Sequence, residues 1–152
     1  MARGAPDFTS RSREKGKETR IYRRSGSLAK NTEEVLCDLA GIDVELQHLE
    51  FSSNDLIMNL VIKPYKADGA LDLQLFGIDK EGEVRSRLTP YDIHDTEDIL
   101  WYELIYDTVN SEYKFGLGYP LRFANGVKIS LYNTDISDAY DVCCEIIMLV
   151  RG

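Results

Sequence analysis

Tyr140, Val142, Cys144, Ile146, Met148 and Val150 occupy every second position near the end of the chain, and this period of two recurs from Val35 onward. Side chains of an extended strand alternate between faces, whereas a helix repeats about every 3.6 residues, so the pattern commits the chain to strands. Val35, Cys37 and Leu39 alternate with Glu34, Leu36 and Asp38. Val44 and Leu46 open a second run whose phase slips at His48, after which Leu49 and Phe51 carry it on. A slip of one residue predicts a β-bulge. Ser52, Ser53, Asn54 and Asp55 supply a turn, and residues 56–63 are apolar on both faces, which predicts a central strand.

Leu71, Leu73 and Leu75 alternate with Asp72 and Gln74 after an Asp68-Gly69 turn. Residues 79–82 form another turn, and Val84, Ser86 and Leu88 continue the period more weakly. Tyr113, Phe115, Leu117 and Tyr119 alternate with Lys114, Gly116 and Gly118, and Pro120 marks an edge or break because it cannot donate to a ladder. Residues 121–123 and 127–131 flank Asn125-Gly126, a pair suited to positive φ angles, which predicts a hairpin. One segment departs from the rhythm. Thr89, Pro90 and Asp92 have the N-cap, first-position proline and first-turn acid of a helix entry, so a short helix or turn is expected near residues 90–98, before a strand near 101–107. Short connections between eight or nine strands require antiparallel pairing. Apolar residues on both faces of central strands require a second layer. The expected fold is therefore all-β, an antiparallel two-sheet sandwich, jelly-roll-like, spanning residues 33–152.

Charge divides the chain. Residues 1–32 hold nine Lys or Arg against three acids, a net +6, while the other 120 residues hold nine bases and 23 acids, a net −14. Large apolar residues are scarce before residue 28, so residues 1–32 are expected to be a flexible basic N-terminal arm, apart from a short edge strand at residues 19–24. A solubilising tail is one reading of it. The other is an interaction arm that orders on an acidic partner surface, with Arg11, Arg13, Arg20, Arg23 and Arg24 gripping carboxylates and Ile21 and Tyr22 buried beside them. Nucleic acid is the weaker partner, since the acidic body repels a polyanion. The longest wholly apolar run is residues 146–150, too short to cross a bilayer, and the first residues never reach the apolar stretch of a secretory signal. Neither membrane nor secretion is expected.

No motif for chemistry emerges. Adjacent Cys143 and Cys144 point to opposite faces of a strand and there is no Cys-x-x-Cys, so the three cysteines, Cys37 included, read as buried thiols. His48 and His94 lack a nucleophile motif beside them. Asp92, Asp95, Glu97 and Asp98, and Asp135, Asp138 and Asp141, invite a calcium reading but match neither the EF-hand pattern nor an RTX repeat, so they read as solvated loops. No catalytic residue, metal ligand or cofactor is assigned. Most aromatic residues sit in phase with the core period, while Trp101 lies outside it as a candidate sugar platform.

Tyr106-Asp107, Asn110 and Tyr113 lead to Tyr119-Pro120-Leu121-Arg122-Phe123, the Asn125-Gly126 turn, and a strand ending in Leu131-Tyr132-Asn133. Upstream, a Ser-Ser-Asn turn precedes a Leu-rich strand within residues 51–60. Over residues 42–150 this pattern resembles the small β-sandwich virion proteins of tailed bacteriophages, the accessory head and fibre components. The resemblance implies a non-enzymatic structural protein of the virion, assembled in the host cytoplasm. It implies a homo-oligomer, a trimer before other states, that decorates or cements the capsid and docks through its N-terminal arm on the major capsid protein or other virion subunits. The alternative is a carbohydrate- or receptor-binding sandwich of a phage tail or fibre.

Overall fold

The computed structural model describes residues 17–72, 87–94 and 101–151. Its elements are β1 (Lys17–Leu28), β2 (Thr32–Ala40), β3 (Asp43–Ser53), β4 (Asn59–Pro64), β5 (Arg87–Leu88), α1 (Pro90–Ile93), β6 (Trp101–Asp107), β7 (Glu112–Leu117), β8 (Leu121–Phe123), β9 (Gly126–Asn133) and β10 (Tyr140–Arg151). One sheet runs β1-β10-β3-β7-β6, with β8 also on β3, and the other runs β2-β9-β4-β5. Every pair is antiparallel. The all-β two-sheet sandwich is as the period of two requires. Its pairings are nested: first strand with last, second with second-last, third with third-last, and β4 with β5 inside them.

The inner faces meet in one core. Val142, Cys144, Ile146, Met148 and Val150 of β10 are buried, as are Val44, Leu46, Leu49 and Phe51 of β3. Phe51, Phe115 and Trp101 form an edge-to-face chain with centroids 5.1 and 5.7 Å apart. The predicted bulge in β3 is present. The register against β10 passes from His48 to Leu46, skipping Gln47, which lets Leu46 and Leu49 both face the core. A second bulge, at Leu36 of β2, corrects the expected phase of that strand: Val35 turns outward, while Cys37 and Leu39, expected on the same face as Val35, point in. On β4, Leu60, Val61 and Ile62 are all buried between β9 and β5, as expected of a central strand. Thr89 caps α1 reciprocally, its hydroxyl accepting from Asp92 N while the Asp92 carboxylate accepts from Thr89 N.

Three further expectations about the fold change. Residues 17–28 are not a free arm: β1 is a twelve-residue strand of the body's own sheet, paired along its whole length with β10. The expected strand at 19–24 is thus real, longer, and seated on this chain rather than on a partner. Asn125-Gly126 does not close a hairpin, because β8 lies in one sheet and β9 in the other. A two-residue hairpin of that type needs positive φ at both positions, and of the two only Gly126 has it, at 100°. The pair instead turns the chain from one sheet to the other, with Gly41 N donating to Asn125 O and Tyr65 N to Gly126 O. Trp101 is buried in the core, not exposed as a platform. The expectations for Leu73, Leu75, residues 79–82, Val84, Ser86 and residues 95–98 lie outside the described residues.

Candidate docking surface

The proposed arm residues fall into two groups. Arg11 and Arg13 lie outside the described residues. Arg20, Ile21, Tyr22, Arg23 and Arg24 all lie on β1, where alternation sends them to opposite faces. Arg20, Tyr22 and Arg24 stand beside Met148, Ile146 and Cys144, on the inner side of the sheet. Tyr22 packs against the core. Arg24 reaches across the rim, Nε 2.6 Å from Glu34 Oε2 on β2, and donates to the carbonyls of Ser25 and Ser27. Arg20 pairs with Glu18 at 3.2 Å, and its bonds to Tyr22 and Glu18 raise its pKa further. These side chains are engaged within the subunit.

Ile21 and Arg23 point the other way, onto the outer face of the six-stranded sheet. Register places side chains there in rows: Ile21, Ile147 and His48; Arg23, Glu145, Glu50, Gly116 and Tyr102; Ser25, Cys143, Ser52, Lys114 and Ile105. Arg23 Nε donates to Glu145 at 2.9 Å, and His48 Nε2 lies 3.2 Å from the other Glu145 oxygen. The Arg23 guanidinium holds the Glu145 carboxyl below its ordinary range. Lys114 stands 3.3 Å from Glu50. At the end of the face Arg122 grips Asp43 with two bonds, of 3.1 and 2.7 Å, again lowering the carboxyl. Tyr102 lies over Gly116, its ring 2.8 Å from where a Cβ would stand, so that position suits only glycine while the ring stays there.

Beside these rows lies an open groove of about 790 Å³, lined by Ser25, Ser52, Asn54, Asn110, Lys114, Asp141 and Cys143 among others. Cys143 is exposed there, while Cys37 and Cys144 are buried, so the expectation of three buried thiols fails at Cys143. Burial pushes the Cys37 thiol up to about 11 and that of Cys144 higher still. Cys143 and Cys144 do take opposite faces.

Of the carboxylates considered for calcium, Asp135 is turned on its own loop. It accepts from Ser137 N at 2.7 Å, Asp138 N at 3.1 Å and Tyr140 Oη at 3.0 Å, which lowers its pKa and raises the phenol of Tyr140 to about 12. Asp92 serves the α1 cap, and Asp95, Glu97 and Asp98 lie outside the described residues. Among the described residues no three His, Cys, Asp or Glu groups gather as a metal site would need. His94 stacks on Tyr106 with centroids 3.5 Å apart and meets Glu103 at 2.6 Å, which fastens α1 to β6. No described helix is long and apolar enough to cross a membrane.

The sequence reading missed the role of β1 as a built-in strand and the groove beside it. Alternation of Glu18, Arg20, Tyr22 and Arg24 against Thr19, Ile21, Arg23 and Ser25 was the available signal, but its inner residues are polar.

No protein-family model matches the chain, and no curated protein matches it significantly. Among solved structures it is similar to a chain described as the cyanophage Pam1 capsid asymmetric unit, at 12% identity over 90% of this chain and 87% of that one, with a TM-score of 0.37.

Proposed function

We propose that this chain is a non-enzymatic structural subunit of a phage virion, a homo-oligomer that decorates or cements the capsid and docks on neighbouring virion proteins through its basic N-terminal region. The observation that carries this reading is the nested strand order. With β1-β10-β3-β7 facing β2-β9-β4-β5, the chain folds over like one long hairpin, an order that supports a jelly-roll-like reading, the arrangement found in viral capsid and lectin domains. The support is one of fold, joined by the sequence pattern of residues 106–133. Because residues 17–28 belong to the sheet, the docking extension proper is residues 1–16, with Ile21 and Arg23 beside it on the outer face.

Quantitative mass spectrometry of purified phage particles carrying the gene tests the reading. The protein should be present at a fixed multiple of capsid symmetry, and its absence from particles overturns the proposal. Deleting residues 1–16 should leave a folded protein that no longer incorporates. Full incorporation of the truncated protein makes those residues a solubilising tail.

The groove beside Cys143 favours a second reading, a carbohydrate- or receptor-binding sandwich. Its hydroxyl, amide, ammonium and carboxylate lining is chemistry that saccharides match. A glycan array returning a reproducible ligand, weakened by Asp141→Ala and Asn110→Ala, would favour this reading over the first.

A further inference from the structure

We propose that two copies of this chain join side by side across a two-fold axis, β1 of each pairing antiparallel with β2 of the other. The proposal rests on the homo-oligomer part of the reading above and replaces the trimer with a symmetric pair.

β1 and β2 are edge strands: among the described residues each has a hydrogen-bonded neighbour on one side only. They lie on the same side of the sandwich, one above the other, tied across the rim by Arg24 and Glu34. Three residues join them, so they run in opposite directions. A two-fold axis parallel to the strands therefore sets β1 of one copy against β2 of the second, antiparallel, and repeats the contact the other way round. Each sheet then continues into the other sheet of the second copy. Such self-complementarity is what an isologous interface requires.

Charge selects this pairing over others. β1 carries four bases and one acid, whereas β2 carries three acids and no base. Setting β1 against β1 places bases against bases; setting it against β2 places them against acids. On the opposite side of the sandwich the edge of the six-stranded sheet is β6, whose only charges are Glu103 and Asp107, so setting β6 against β6 places acids against acids, and setting it against β1 is a head-to-tail contact that does not close on a two-fold axis.

Register agrees with charge. With Arg23 opposite Glu33 of the second copy, antiparallel counting puts Ile21 opposite Val35. Ile21 and Val35 are the large apolar residues exposed on these two strands, at 52% and 48%. All four side chains lie on the outer faces that the pairing makes continuous: Arg23 and Ile21 beside Glu145 and Ile147, Glu33 and Val35 beside Tyr132 and Ser130. Arg23 reaches Glu145 through Nε, and Glu33 accepts from Ser130 Oγ through Oε2, so each has a further polar atom to turn toward the second copy. Charged edges commonly keep sheets apart. Here the two edges carry opposite signs, and the same charges bring them together.

Sedimentation velocity of the full chain over a range of concentrations tests this. A dimer is expected, weakened by salt. Arg23→Glu alone and Glu33→Lys alone should each raise its dissociation constant about tenfold or more, because like charges opposite one another across a strand pair repel. Mixing the two variants should restore a heterodimer, since each contact then joins opposite charges, and the double variant should dimerise by itself. That rescue separates the interface from any loss of folding. A chain that stays monomeric overturns both the dimer and the homo-oligomer reading. An oligomer indifferent to Glu33→Lys, or one that mixing fails to rescue, overturns the edge pairing alone and leaves the virion reading to particle composition.

Discussion

Arg24 on β1 and Glu34 on β2 meet at 2.6 Å across the rim of the sandwich, joining two sheets that share no backbone hydrogen bonds there. The Arg24 side chain is only 20% exposed, and its remaining nitrogens cap the carbonyls of Ser25 and Ser27. Arg24→Met keeps the stem and removes all three bonds. It should lower unfolding stability by about 1–2 kcal/mol, the range of a few charge-assisted bonds at a partly exposed site, measured by urea denaturation. A stability unchanged within error would mean that the rim pair is ornamental.

Ile146 and Ile147 are neighbours on β10 with opposite fates, the first fully buried and the second on the outer face. Ile146→Asp places an unpaired charge in the core and should prevent folding or reduce stability by several kcal/mol, about 4 or more. Ile147→Asp should cost about 1 kcal/mol or less by the same comparison. Thermal melts of the two variants check the assignment of faces, and equal losses would refute it.

Gly126 should tolerate no side chain. A Cβ there would stand 1.8 Å from the Leu39 carbonyl oxygen, and its φ of 100° is one that residues with a side chain rarely adopt. Gly126→Ala combines backbone strain of about 1–3 kcal/mol with a clash against backbone that cannot swing aside. The soluble yield and melting temperature of the variant should both fall sharply. Gly41, with nothing within 4 Å of its Cβ position, provides the contrast: Gly41→Ala should show strain alone.

Acid should loosen the fold through Glu145 and Asp43, whose carboxyls are held low by Arg23 and Arg122. A carboxyl with a lowered folded-state pKa contributes stability above its unfolded value, and that contribution disappears as pH falls toward the folded value. Stability should therefore be level near neutrality and decline below about pH 4, where free carboxylates begin to protonate. Asp55 acts in the opposite sense, because burial raises its pKa and its protonation relieves the fold. Denaturation midpoints of Glu145→Gln between pH 3 and pH 7 should show a shallower acid decline than the parent.

Strand after strand was legible because one face of each is buried. The alternation through Ile146 and the slip near His48 appear in the structure as a core-facing row and a bulge at Gln47. β1 was harder to read, for a physical reason. At a sheet edge the inner positions sit at the rim, where Arg20 and Arg24 can bury stems and keep charged ends at polar partners, so no apolar alternation is required. Asn125-Gly126 misled because a left-handed glycine serves a crossing between sheets as well as a hairpin. Trp101 stood outside the period because α1 and the β6 bulge near Leu104 interrupt the phase before and after it. The outer face, with Arg23, Glu145 and His48 brought together from three strands, depends on register between distant segments, which local pattern does not carry.

The place of β10 between β1 and β3 has a consequence for synthesis. Arg23 and Glu145, joined in the folded sheet, are 122 residues apart along the chain. As the chain leaves the ribosome, β1 emerges before every other described strand, and β10, its one neighbour among the described residues, emerges after them. β2 and β4 can meet β9 before that, but the pairing of β1 waits for β10. The basic strand β1 therefore goes without β10 while every strand between them is made, and a chain that terminates before β10 would leave an arginine-rich strand exposed to whatever acidic surface it meets.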